Sequence, residues 1–127
     1  MTPMNEWRVL IVEDEIDGQE VVEAILGYFN ISADAVGTAE DALHLLSQNQ
    51  YTAAVIDLGL PVMDGIELVT TMRNDSANAQ IPCIAITAFH SSQLKQQALA
   101  AGFDAYFAKP LDDTSFVREL DRIISRS

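Results

Sequence analysis

Four apolar stretches of this chain are each followed at once by residues that could take part in phosphoryl transfer. The stretches end at Val12, Ile56, Ile86 and Ala108, and they are followed by Glu13–Asp14, Asp57, Thr87 and Lys109 respectively. If the stretches are neighbouring parallel strands, carboxylates, a hydroxyl and an ammonium converge on the sheet edge where open α/β sheets bind ligands. The set is typical of an aspartate that accepts a phosphoryl group beside a divalent metal ion.

The carboxylates could bind a metal ion. Asp57 ends a buried run, where a carboxylate is unfavourable unless it is paired or metal-bound. Glu13 and Asp14 alone could instead be acids favoured by the helix dipole at a helix N-terminus. Because neighbouring strands lie roughly 4.8 Å apart, Asp14 and Asp57 could share one oxygen-ligated Mg²⁺. Oxygen ligands with no His or Cys near them in sequence argue against zinc.

Lys109 and Thr87 are candidates for contact with a phosphoryl group. The Lys109 stem must cross one intervening strand to reach Asp57, where its ammonium could neutralise first the carboxylate and then a phosphoryl oxygen. Thr87 offers a hydroxyl donor. An idle surface lysine and an ordinary strand-end threonine are the alternatives, and Thr87 alone is weak evidence.

Apolar runs alternate with segments of helical period, which predicts a parallel sheet covered on both faces. The predicted strands are 8–12, 33–36, 53–57, 83–87 and 105–108. The predicted helices are 16–29, 39–48, 66–74, a segment from Ser91 or Ser92 to the stop signal at Gly102, and 113–125. The first helix should carry a core stripe of Val21, Val22, Ile25, Leu26 and Phe29.

Length and composition indicate one globular, soluble domain over residues 1–127. No apolar run reaches the roughly 20 residues of a membrane span, and the N-terminus does not resemble a signal peptide. A single cysteine, Cys83, fits a reducing cytoplasm. The net charge of -12 argues against direct binding to nucleic acid or anionic lipid.

The motifs together resemble the receiver domain of two-component response regulators, the CheY-like superfamily. The resemblance rests on Val12–Glu15, on the stretch Asp57–Gly65, on Thr87–Ala88 and on Lys109–Pro110, and it covers about residues 8–125. It implies a flavodoxin-like (βα)5 fold, a doubly wound parallel sheet of strand order 2-1-3-4-5.

The resemblance also implies roles for individual residues. Asp57 would accept the phosphoryl group, and Thr87 and Lys109 would contact it. Mg²⁺ or Mn²⁺ would be held by Asp14, Asp57 and the Gly59 backbone carbonyl, with Glu13 acting mainly through water. Thr87 and Tyr106 would form the switch, and the Lys109–Pro110 bond is often cis in this family.

The expected function is a signalling module rather than an enzyme. A histidine kinase or histidine phosphotransfer protein would phosphorylate Asp57, and the face of the fourth helix, fifth strand and fifth helix would bind a downstream protein. Self-phosphorylation from small donors and self-dephosphorylation, both Mg²⁺-dependent, are expected. A stand-alone or relay role is favoured; the alternative is a receiver from a larger regulator or hybrid histidine kinase.

Two positions are predicted to set the lifetime of the phosphorylated state. Gly59 has no side chain to place a water, and Phe89 is apolar and could shield the site. We therefore expect slower self-dephosphorylation than in receivers with acid or amide groups at these positions.

Three other classes of protein fit less well. A haloacid-dehalogenase-type hydrolase carries its nucleophile after the first strand, with a second Asp two residues on, where this chain has Gly59. A flavodoxin-like or dinucleotide-binding module needs a phosphate loop after the first strand, where the acids from Glu13 to Asp17 would repel phosphate. A docking domain that keeps only the fold would not need the intact set of Asp14, Asp57, Thr87 and Lys109.

Overall fold

The computed structural model describes residues 2–126, in which five strands alternate with five helices after a short 3-10 helix, Met4–Glu6. The strands are β1 (Arg8–Val12), β2 (Ser32–Val36), β3 (Ala53–Asp57), β4 (Cys83–Thr87) and β5 (Ala105–Ala108). The helices are α1 (Ile16–Tyr28), α2 (Ala39–Gln48), α3 (Gly65–Arg73), α4 (Ser92–Ala101) and α5 (Asp113–Ser125).

The strands form one parallel sheet in the order β2-β1-β3-β4-β5, as the resemblance implied. The register aligns the strand ends that matter for the site: Val12 pairs with Ile56, and Asp57 pairs with Ile86. From β1 the chain adds β2 on one side of the sheet and then returns to add β3 on the other side of β1. The direction in which strands are added therefore reverses at the boundary between β1 and β3. A crevice opens at such a point, beyond the carboxyl ends of the strands.

Successive residues of each buried strand point to opposite faces of the sheet, so the sheet has two apolar layers. Leu10 and Val12 belong to the core covered by α2, α3 and α4. Val9 and Ile11 belong to the core covered by α1 and α5, where Trp7 is also buried. The strands β3 and β4 are buried at every position, which explains their almost continuous apolar sequences.

Local signals explain most of the helix boundaries. The Thr38 hydroxyl accepts the Asp41 N–H at the start of α2, and the Ser91 hydroxyl accepts the Leu94 N–H at the start of α4. Gly102 follows α4 with a φ of 127°, as its predicted role as a stop signal requires. Helix α3 begins at Gly65 rather than at 66 because Asp64 makes a reciprocal capping box with Glu67.

One core prediction is wrong. Val21 is 50% exposed, whereas Val22 and Leu26 are fully buried. Residues four apart lie on the same side of a helix, so the Val22–Leu26 pair defines the buried stripe and its neighbour Val21 turns towards solvent.

Candidate functional site

Asp57 is the last residue of β3 and is buried, with 7% of its surface exposed. Its Oδ2 lies 2.7 Å from Nζ of Lys109, and its Oδ1 accepts the Gly59 N–H at 2.7 Å. Both carboxylate oxygens therefore have a partner, one of them a cation, which compensates for placing a carboxylate in an otherwise apolar strand.

Glu13 follows β1 and is fully buried. Its carboxylate accepts the Glu15 N–H at 3.2 Å and is ion-paired with Lys109. The family resemblance implies that Glu13 acts mainly through water at a metal site, which stays a prediction, and the direct ion pair with Lys109 was not predicted. The Lys109 ammonium therefore forms ion pairs with two buried carboxylates, Glu13 after β1 and Asp57 at the end of β3.

Glu13, Asp14 and Asp57 can each offer an oxygen such that these atoms all lie within 4.8 Å of one another. Asp14 is exposed, whereas the other two are buried, so the cluster opens to solvent on one side. Hard oxygen donors at this spacing fit Mg²⁺ or Mn²⁺. Gly59 is exposed beside Asp57, and the role of its carbonyl as a further ligand stays a prediction.

Burial dominates the electrostatics of this cluster. It raises the pKa of Glu13 above its ordinary value, and the hydrogen bond from Lys109 only partly offsets the effect. Burial lowers the pKa of Lys109, but hydrogen bonds to Asp57 and Glu13 outweigh it, so the pKa of Lys109 lies above its ordinary value. Lys109 therefore remains a cation at neutral pH.

Thr87 is buried at the end of β4, on the strand next to Asp57 as predicted. Its hydroxyl oxygen accepts the Phe89 N–H at 3.0 Å, and its carbonyl accepts the Lys109 N–H at 2.8 Å. Phe89 itself is 82% exposed. In this structure its ring lies in solvent, and its proposed role in shielding the site stays a prediction.

Tyr106, the predicted switch aromatic, is half-buried on β5. Its hydroxyl is hydrogen-bonded to Nδ1 of His90 at 3.0 Å, and the two ring centroids are 5.5 Å apart. His90 is exposed in the loop that follows β4. The contact with Tyr106 was not predicted, because no local sequence pattern links two residues sixteen positions apart.

Gly65 lets α3 begin directly against the strand that carries Asp57. A Cβ at position 65 would lie 2.5 Å from the Asp57 carbonyl oxygen and 2.9 Å from the Leu58 Cα. These are backbone atoms of a buried strand end, so no side chain fits. The Lys109–Pro110 peptide bond that follows β5 is cis.

Residues 9–121 match the family model of the response regulator receiver domain. This chain belongs to that family. Both the fold and the match confirm the resemblance drawn from the sequence, and the acidic cluster of the receiver is compatible with a phosphoacceptor site.

Two related proteins show how this receiver compares in length with known relatives. It is 37% identical over 120 residues to the two-component response regulator PhoP of Pseudomonas aeruginosa, covering 94% of this chain and 52% of PhoP. It is 30% identical over 118 residues to an uncharacterized 14.6 kDa protein of Leptolyngbya boryana, covering 93% of this chain and 90% of that protein. The receiver therefore spans about half the length of PhoP but most of the second relative.

A solved receiver-domain structure is also similar to this chain. The receiver domain of sensor histidine kinase PA1611 from Pseudomonas aeruginosa superposes with a TM-score of 0.86 at 30% identity, covering 94% of this chain and 98% of that one. In that structure a magnesium ion is coordinated in the active-site cleft.

Within residues 2–126 of the present receiver, no helix combines the length and apolar character needed to cross a membrane.

Proposed function

We propose that Asp57 accepts a phosphoryl group from a phosphohistidine of a histidine kinase or histidine phosphotransfer protein. The observation that carries this proposal is the pair of contacts at the Asp57 carboxylate. One oxygen is held by the Lys109 ammonium and the other by the Gly59 N–H, next to the acids Glu13 and Asp14. The nucleophile is thus fixed at the mouth of the crevice with a cation beside it.

The transfer needs little from the protein beyond alignment and charge neutralisation. A carboxylate oxygen of Asp57 attacks phosphorus, the P–N bond breaks, and its electron pair returns to the imidazole of the donor. The product is an acyl phosphate on Asp57. The Lys109 ammonium and the Thr87 hydroxyl would stabilise the charge on the phosphoryl oxygens.

Glu13, Asp14 and Asp57 are the residues that would hold Mg²⁺ or Mn²⁺, with Gly59 contributing its carbonyl. Bound there, the ion would neutralise negative charge on the phosphoryl oxygens. The acyl phosphate would be lost by hydrolysis: water attacks phosphorus, the bond between phosphorus and the Asp57 oxygen breaks, and inorganic phosphate is released, leaving the free Asp57 carboxylate.

Thr87 and Tyr106 would carry the signal outward. If the Thr87 hydroxyl moved towards a phosphoryl oxygen, it would lose the hydrogen bond that it accepts from the Phe89 N–H. Phe89 lies in the loop between β4 and α4. A new packing of Tyr106 would then remodel the α4-β5-α5 face, as a shift between two populated states. We propose that a downstream protein, rather than nucleic acid, reads this face, since the chain carries a net charge of -12. The free, buried Cys83 suits a reducing cytoplasm.

The phosphoacceptor is tested by incubating the purified protein with acetyl phosphate and MgCl₂ and measuring intact mass. The wild type should gain one phosphoryl group, and Asp57→Asn should gain none. Asp17→Asn is the matched control, because Asp17 is an exposed acid of α1 that lies outside the cluster. Equal labelling of Asp57→Asn and wild type would overturn the proposal.

The metal site is tested separately by thermal unfolding in MgCl₂, in EDTA and in NaCl of matched ionic strength. Binding to the folded state alone should stabilise the wild type by about 2.7 kcal/mol when Mg²⁺ is at 100 times its Kd. Asp14→Asn should lose most of this increment, whereas Asp17→Asn should keep it. No response of the wild type to Mg²⁺ would contradict the metal assignment.

A further inference from the structure

The side chains of His90 and Tyr106 form a bridge between two elements. His90 lies in the loop between β4 and α4, and Tyr106 is the second residue of β5. The hydrogen bond between Nδ1 and the tyrosine hydroxyl is 3.0 Å long, and the rings lie 5.5 Å apart at an angle of 54°. The contact therefore combines a hydrogen bond with ring packing and fixes where the Tyr106 hydroxyl points.

Tyr106 also lines a hollow of about 340 Å³ on the α4-β5-α5 face. The hollow is lined by one basic side chain, Lys95, and by two acidic ones, Asp104 and Glu119. The apolar side chain of Leu99, which also lines it, is 41% exposed. The inner part of Tyr106 packs on the core under α3 and α4. A change in the direction of the Tyr106 ring would therefore alter the floor of this hollow.

The same loop is attached to the phosphoacceptor edge by a second hydrogen bond. The Thr87 hydroxyl accepts the Phe89 N–H at 3.0 Å, and His90 is the next residue. Any movement of the Thr87 hydroxyl towards the crevice removes the acceptor that fixes the loop just before His90. The two hydrogen bonds thus connect Thr87, which lies on the strand next to Asp57, through the loop to Tyr106 on the α4-β5-α5 face.

We infer that His90 is a positioning residue that holds Tyr106 in the unphosphorylated arrangement of the receiver. The inference rests on the proposed function for its signalling role, because the released state is the phosphorylated one. While the loop keeps its resting position, His90 retains the Tyr106 hydroxyl and the hollow keeps its present shape. When the loop shifts, His90 shifts with it and Tyr106 is free to repack.

The direct test is fluorine NMR of protein labelled with 3-fluorotyrosine, without any phosphodonor. The chain contains three tyrosines, so the Tyr106 resonance is assigned by its absence from Tyr106→Phe. We expect His90→Ala to move this resonance towards its position in phosphorylated wild type. His90→Asn should restore it, because an asparagine amide can occupy the place of Nδ1. His44→Ala is the control, since His44 is exposed on α2.

A second measurement asks whether the bridge biases activation. Loss of one hydrogen bond should shift the resting equilibrium by about fivefold, so His90→Ala should half-saturate at about fivefold less acetyl phosphate. In the Tyr106→Phe background, which lacks the hydroxyl, the His90→Ala change should have almost no additional effect. An equal effect in both backgrounds would mean that His90 does not act through Tyr106.

An unmoved Tyr106 resonance in His90→Ala would also overturn the inference. If the wild type is not phosphorylated at all, the proposed function fails instead. The fluorine comparison in unphosphorylated protein still decides whether His90 positions Tyr106, so the two failures are distinguishable.

Discussion

The ammonium of Lys109 lies 2.7 Å from Oδ2 of Asp57 although the two residues come from strands separated by β4. The same ammonium is ion-paired with Glu13, which follows the strand on the far side of β3. Lys109 thus connects three strand ends across the crevice. Without it, two buried carboxylates would face each other with no cation.

Lys109→Met should therefore slow phosphorylation of Asp57. Removal of one preorganised donor from a site of developing charge typically lowers a rate by about 100-fold, and we expect a loss of about this size with acetyl phosphate. The measurement is the initial rate of mass gain in saturating MgCl₂. Arg118→Met, which removes an exposed cation on α5, should react at the wild-type rate. A rate for Lys109→Met within a factor of about two of wild type would remove Lys109 from the reaction.

Side chains introduced at position 59 should shorten the phosphorylated lifetime. A Cβ at Gly59 would lie 3.4 Å from Oδ1 of Asp57, so an amide there could orient a water towards the phosphoryl group. Gly59→Asn should increase the rate of phosphate release by about tenfold, measured after rapid removal of the donor. Gly27→Asn is the control, because a Cβ at Gly27 would meet nothing within 4 Å.

A related variant tests the second lifetime position. Phe89→Glu places a carboxylate at the loop that follows Thr87, and it should also speed phosphate release. Because Phe89 is 82% exposed, the substitution should leave the melting temperature almost unchanged. An unaltered release rate in this variant would show that residue 89 does not control access of water.

Any side chain at position 65 should destabilise the protein. The Cβ of Gly65→Ala would overlap backbone atoms of Asp57 and Leu58, and such overpacking typically costs about 1–3 kcal/mol. Gly27→Ala should instead be neutral or stabilising by up to about 1 kcal/mol, because alanine favours a helix. Urea unfolding of both variants measures the difference, and equal stabilities would show that the α3 start adjusts freely.

Tyr51 should make stability depend on pH in the alkaline range. Burial, followed by its hydrogen bond to Asp34, raises the pKa of Tyr51 from 10.0 to about 12. The folded state keeps this proton longer than the unfolded state, so the associated stability is present below pH 10 and is lost as pH rises towards 12. The free energy of unfolding, measured with denaturant across this pH range, should fall less steeply for Tyr51→Phe than for the wild type. If the free energy of unfolding fell equally with pH in both proteins, Tyr51 would not be the source of this pH dependence.

The sequence by itself determined the alternation of strands and helices and the residue types at each strand end. Alternating apolar runs and helix-period segments placed the strands to within a residue. Ser91 and Gly102 marked the two ends of α4 by local hydrogen bonding and backbone conformation. The acidic pair, Thr87 and Lys109 each had an ordinary structural explanation when taken alone, whereas a carboxylate at Asp57, at the end of a buried run, did not. The joint spacing of these residues carried the resemblance that the family match confirmed.

The approach of Lys109 to Asp57 was predicted, but only the tertiary structure decided the other contacts of these groups. The Lys109–Glu13 pair joins residues 96 positions apart, and the His90–Tyr106 bridge depends on how one loop lies over β5. Neither leaves a local signal, because side-chain contacts between distant segments follow from packing and register rather than from neighbouring residues. The exposure of Val21 has the same origin. The helical period was compatible with a wide apolar stripe that included Val21, but only Val22 and Leu26 are fully buried where α1 packs on the sheet.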